Sequence, residues 1–202
     1  MATEIPGLAQ LWHNLATWLA EHAPGDYESL LPGASEGEIK RLEDGLGFSV
    51  HEDVRTTLRL HNGVTMRRAS TEPGAFVLGY SLLDVNGILG AYRDLVSMVE
   101  DAREEGEEEL VVGRIADSRW VPLAQNMSGD LLFVDHRYHY AGEIGEISFG
   151  DPEYRMLWPR MDLMMADLCN SVKARIPVTA VPRVPSLHEG RMLEWHVRSA
   201  QE

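Results

Sequence analysis

Two imidazoles stand three residues apart in His136-Arg137-Tyr138-His139, directly after Asp135. A carboxylate beside an imidazole has the composition of an acid–base pair, so a small hydrolase using Asp135 with His136 or His139 is one reading. It requires a concave pocket where these side chains converge with a perturbed pKa. As a metal site the same segment needs further ligands converging from other elements. It follows a strand pattern and falls in a loop, which favours solvated loop residues. Asp130 and Asp135 also form a carboxylate pair of the kind used in hydrolysis. Yet Asp130 suits the turn Ser128-Gly129-Asp130, and Asp135 suits a strand end. Cys169 has apolar neighbours at helical spacing and reads as an inert core thiol rather than a nucleophile. The chain carries no Gly-x-Ser-x-Gly, phosphate-loop or dinucleotide fingerprint, and Gly142-Glu143-Ile144-Gly145 reads as a turn with a tight sheet contact. These residues assign no catalytic group, no metal and no cofactor, and the chain is read as a non-enzyme.

Charge points to binding instead. The 202 residues hold 18 Lys+Arg against 32 Asp+Glu, a formal charge of −14. Such a balance excludes a general binder of nucleic acid or acidic membranes, which gains affinity by neutralising phosphates with Lys and Arg. It favours a protein partner with a basic surface. The stretch from Glu100 to Glu109 contains seven acids and one base. Glu104, Glu105, Glu107, Glu108 and Glu109 are therefore candidates for steering that partner, with Asp130 and Asp135 as further acidic candidates. Trp120 reads first as a core indole and second as an interface residue. Trp195 has no evident core slot and either docks on the domain or anchors a partner, as tryptophans at interfaces do.

The elements that must position these groups follow from periodicity. Leu8, Leu11, Trp12, Leu15 and Leu19 predict an amphipathic helix over 6–22, stopped by Pro24-Gly25. Ser35-Glu36-Gly37-Glu38 is a capping box for a second helix, with Ile39, Leu42 and Leu46 buried and Gly47 ending it. A third helix near 51–60 buries Val54 and Leu58 and ends at Asn62-Gly63, where a left-handed turn costs little. Phe76–Tyr80 reads as a short strand. Asp84 caps a longer helix whose stripe runs from Val85 to Val99 and which passes into the acidic stretch as helix or loop. From residue 110 short apolar runs predict strands at Leu110–Val112, Trp120–Leu123, Leu131–Asp135, Glu143–Phe149 and Tyr154–Trp158. Helical spacing returns from Met161 to Ile176. Pro177, Pro182 and Pro185 favour an extended, polyproline-like tail, in which Leu193, Trp195 and Val197 alternate as in a strand or clamp.

Helices, then a meander of strands, then a helix imply an α+β fold. The expected form is an antiparallel or mixed sheet of about five to six strands flanked by helices, with an N-terminal helix and an extended C-terminal tail. Residues 1–176 form one domain and 177–202 the tail. One cysteine permits no internal disulfide, and the first residues lack the basic and continuous apolar segments of a signal peptide or membrane span. A cytoplasmic protein, without membrane insertion, is the expectation.

Three segments together resemble the SUKH superfamily, which includes fungal cell-wall assembly regulators of the Smi/Knr type. The first is Leu31-Pro32-Gly33-Ala34-Ser35-Glu36 with the helix ending Leu42-Glu43-Asp44-Gly45-Leu46-Gly47. The second is Asp53-Val54-Arg55-Thr56-Thr57-Leu58-Arg59-Leu60-His61-Asn62-Gly63. The third is Trp120-Val121-Pro122-Leu123-Ala124 followed by Ser128-Gly129-Asp130-Leu131-Leu132-Phe133-Val134-Asp135 and Gly142-Glu143-Ile144-Gly145. The likeness spans about residues 28–174. Two departures stand out: Val50-His51 occupies the place of a family proline, and Gln125-Asn126-Met127 replaces a more acidic turn. The resemblance implies a binding role, either as an immunity protein that neutralises a toxin or as a regulator or scaffold of cell-wall assembly, with no shared catalytic centre. An accessory module that adds a tail strand to a partner sheet is a further reading.

Overall fold

A computed structural model describes residues 6–150, 152 and 154–197. The first amphipathic stripe folds as α1 (Leu8–His22), burying Leu8, Leu11, Trp12, Leu15 and Leu19. Pro24 does not only end it: with its φ preset for a first helical turn, it starts α2 (Pro24–Ser29) at once. The capping box forms as the spelling requires. Ser35 Oγ accepts from Glu38 N, and Glu38 Oε2 accepts from Ser35 N at 2.8 Å, at the start of α3 (Glu36–Leu46). At Val50-His51 the His51 side chain supplies the cap. Its Nδ1 accepts from Asp53 N at 3.3 Å and caps α4 (Glu52–Leu60). The unusual Asn126 has a similar explanation, because its Oδ1 accepts from both Ser128 N and Asp130 N at 2.9 Å and closes the turn locally.

The meander gives β1 (Ser81–Leu82), β2 (Trp120–Gln125), β3 (Leu131–Asp135), β4 (Ile144–Ile147) and β5 (Arg155–Trp158), an antiparallel sheet in that order. Between β1 and β2 run α5 (Val85–Glu105), capped by Asp84 Oδ1 accepting from Gly87 N, and the one-turn α6 (Glu108–Val111). After β5 come α7 (Met161–Ala174) and a hairpin of β6 (Arg183–His188) and β7 (Met192–Val197). Alternation along β2 and β3 divides the core. Val121, Leu132 and Val134 face α1, α4 and α7, while Trp120, Leu131 and Phe133 pack with Leu95 and Val99 of α5. Gly145 makes the predicted tight contact, since a Cβ there would lie 2.5 Å from the Phe133 ring.

Three expectations are corrected. Phe76–Tyr80 is not a strand but a turn: Leu78 (φ 56°) and Gly79 (φ 86°) are left-handed, and the buried apolar run packs as a knot rather than joining the sheet. Leu110–Val112 is not a strand. Leu110 and Val111 close α6, and Val112 leaves it. The tail is extended, but not as polyproline, because strand-to-strand pairing from Arg183↔Val197 to His188↔Met192 satisfies its backbone internally. That hairpin packs on its own chain: Gly25 N donates to Arg191 O, and the buried Asp26 accepts from Gly74 N and Leu193 N, both at 2.6 Å. The reading that the tail adds a strand to a partner sheet thereby loses its support. Residues 198–202 of the predicted tail lie outside the described residues.

Candidate interaction surface

The groups that suggested hydrolysis are used to hold the sheet together. Asp135, at the end of β3, has no exposed side-chain surface. Its Oδ1 accepts from Arg137 N at 2.8 Å, and its Oδ2 accepts from Trp120 Nε1 at 3.1 Å and Arg137 Nη2 at 2.6 Å. Trp120 itself is fully buried in a cluster with Phe133 (4.2 Å) and Tyr154 (5.4 Å), which lie 5.9 Å from each other. Trp120 and Asp135 therefore reach a partner only through what they support.

His136 is also spoken for. Its Nδ1 lies 2.9 Å from Val134 O, and its Nε2 accepts from His51 N at 2.8 Å. One nitrogen donates and the other accepts, which is the neutral imidazole. Burial, opposed by the Val134 carbonyl, holds its pKa below the ordinary 6.5. The ring thus staples β3 to the start of α4. His139 is exposed in the loop beyond, beside the almost fully exposed Tyr138, and does not converge with Asp135 or His136. Cys169 is a core thiol whose pKa burial pushes up, with Sγ 3.5 Å from Leu11 O.

The neutral His136 has a measurable consequence. The unfolded chain binds a proton on this residue as pH falls through 6.5, while the folded protein resists until its lower value is reached. Stability present above pH 6.5 is therefore lost across that interval. His61, also lowered by burial, adds to the same slope. The expected result is that the fall in urea midpoint from about pH 7.5 to about pH 5.5 becomes shallower in His136→Gln. An undiminished fall would place the proton uptake elsewhere.

The acidic candidates lie outside. α5 stays helical through Glu105, ends at Gly106 (φ 75°), and α6 restarts at Glu108, so Glu104, Glu105, Glu107, Glu108 and Glu109 are all exposed along the acidic ridge of chain where the two helices meet. Arg103 Nε bonds Glu108 Oε1 at 3.0 Å, a solvent-exposed pair worth little. Asp130 is partly buried and committed: its Oδ1 accepts from Phe149 N at 3.0 Å and its Oδ2 from Asn126 at 2.8 Å. Trp195 has a slot after all. It lies half-buried on the core, and its Nε1 donates to Phe76 O at 2.9 Å.

Sequence reasoning missed the surroundings of the ridge. Leu110, the residue after Glu109, is 58% exposed and forms one wall of a cleft of about 470 Å³ with Ile115, Pro152 and Tyr154. Arg137 lies beside Tyr154, its guanidinium 5.7 Å from the Tyr154 ring and 4.7 Å from that of Tyr140, which is 45% exposed. The consecutive Glu107-Glu108-Glu109-Leu110 was the available signal, hidden because 110–112 looked like a strand.

Among the described residues no three His, Cys, Asp or Glu side chains are grouped to hold a metal, and no helix is long and apolar enough to cross a membrane. The family model described as SMI1/KNR4 family (SUKH-1) matches residues 33–167, from the approach to α3 into α7. The chain is 23% identical over 158 residues to the cell wall biosynthesis/cell cycle regulator smi1 of Schizosaccharomyces pombe, covering 70% of this chain and 31% of that protein. It is 28% identical over 89 residues to KNR4/SMI1 homolog 2 of Debaryomyces hansenii, covering 44% of this chain and 15% of the relative. A KNR4/SMI1 homolog of Yarrowia lipolytica is 29% identical over 83 residues, covering 41% and 11%. The matches span less than a third of each of these relatives.

Proposed function

The chain belongs to the SMI1/KNR4 (SUKH-1) family, and from that membership we propose that it is a non-catalytic protein-binding module whose exposed acidic ridge receives a basic partner. The observation that carries the reading is the division of labour among its polar groups. Asp135, His136 and Cys169 are held inside by structural contacts, while five glutamates in six positions stand in solvent along Glu104 to Glu109. Carboxylates gathered on one edge of a chain of charge −14 raise the local concentration of a cationic partner and speed its encounter. The name of the Schizosaccharomyces pombe relative, a cell wall biosynthesis/cell cycle regulator, favours regulation of cell-wall synthesis as the setting. Neutralisation of a basic toxin would use the same surface, and the identity of the partner separates the two.

Affinity capture with mass spectrometry supplies that partner, and stopped-flow kinetics then tests the ridge. Reversing Glu104, Glu105, Glu107, Glu108 and Glu109 to Lys is expected to slow association at least ~10-fold at low salt, with the difference closing as salt rises. Equal association rates at low salt would overturn the ridge as the steering element.

A further inference from the structure

Long-range steering does not by itself select a partner; a docking surface needs a desolvated centre. The cleft beside the ridge has that anatomy. Leu110, Ile115, Pro152 and the ring of Tyr154 line it, and Glu108 and Glu109 precede Leu110 in the same turn of helix. Charged groups at the rim with apolar groups inside is the arrangement of a protein interface. The Tyr154 hydroxyl is closed to solvent and finds no hydrogen-bond partner among the described residues, so it is the aromatic ring and not the hydroxyl that the cleft offers. Burial, with the charges of Glu143 and Asp135 behind it, pushes the hydroxyl's pKa up to about 12, so it stays neutral. One positive group, Arg114, also lines the cleft.

We propose that this cleft takes one uncharged apolar side chain of a basic partner segment, with flanking Lys or Arg residues meeting Glu107, Glu108 and Glu109. Arg114 repels a cation from the cleft itself while the glutamates attract cations beside it, which fixes the order apolar centre, basic flanks. A uniformly basic segment satisfies only the rim. The inference rests on the acidic-ridge reading and adds the chemistry of the anchor.

Titration of the full chain with two lysine-rich peptides that differ only in a central Leu or Ala tests it, read by amide shifts and the fitted Kd. The Leu peptide is expected to bind at least ~5-fold more tightly, with the largest shifts at Leu110, Gly113 and Ile115. Leu110→Ser, a change at an exposed position, abolishes that preference by weakening the Leu peptide toward the Kd of the Ala peptide. The pair Glu108→Lys and Glu109→Lys weakens both peptides. Equal binding of the two peptides, insensitive to Leu110→Ser but weakened by the Glu changes, overturns the cleft and leaves the ridge standing. Failure of either peptide to bind, or indifference to the Glu changes, overturns both.

Discussion

Asp135→Ala is expected to lower stability by about 3–5 kcal/mol, because it removes one half of a buried ion pair and leaves Arg137 only Asp117, at 3.9 Å, as a counter-charge. Three donors converge on this carboxylate: the Trp120 indole, the Arg137 backbone N–H and the Arg137 guanidinium. Deleting it leaves an indole N–H in a fully dry core and a guanidinium three-quarters withdrawn from solvent. For a chain of this size the loss corresponds to a fall in Tm of about 6–20 °C. Asp135→Asn keeps the shape but turns an amide N–H₂ toward donors, so it recovers only part of the loss. The network is coupled, and Arg137→Met together with Asp135→Leu is expected to cost far less than the sum of the single changes. Urea unfolding of the wild type and these five variants checks this; a single Asp135→Ala loss below about 1 kcal/mol would mean the carboxylate is solvated.

Gly63→Ala is expected to cost about 2–4 kcal/mol, the sum of left-handed strain and a backbone collision. At φ 77° a Cβ would stand 2.4 Å from Asp84 N and 2.5 Å from Leu83 C, the junction at which β1 passes into α5. The preceding Asn62 locks the same junction, its Oδ1 accepting from Val85 N at 2.9 Å. Gly106→Ala is the control, with nearly the same φ, 75°, and no atom within 4 Å of the added Cβ. It is expected to lose only the strain, about 1–2 kcal/mol. Equal losses from the two changes would show that close approach to the backbone contributes nothing at Gly63. The Asn-Gly pair thus shapes the start of the helix that carries the acidic ridge.

The legible parts of this chain are those whose causes lie within a few residues. Ser35 with Glu38, Asp84 with Gly87, and the turn at Asn62-Gly63 are spelled by neighbours, so the starts of α3 and α5 and the end of α4 follow from the sequence alone. The strands from Trp120, Leu131 and Glu143 onward were legible because short β-rich runs are separated by turn residues. Where the interactions that decide are distant, local reading misleads. Phe76–Tyr80 has the composition of a strand, but its place under Trp195 and Arg183 of the tail makes it a turn. Leu110 and Val111 have strand-like composition, but the restart of helix after Gly106 claims them.

The same division governs function. Sequence alone determined an α+β chain, a SUKH resemblance, an acid-rich stretch and the absence of familiar catalytic signatures. Tertiary structure decided that Asp135 faces Trp120 and Arg137, and that His136 is tied to His51, 85 positions away in the chain. It also decided that Leu110, the residue after the glutamates, lines a cleft with Tyr154. The physical reason is range. Caps and periodicities act over one or two turns of chain, whereas burial, pairing and pKa depend on which distant groups the sheet and its helices bring together.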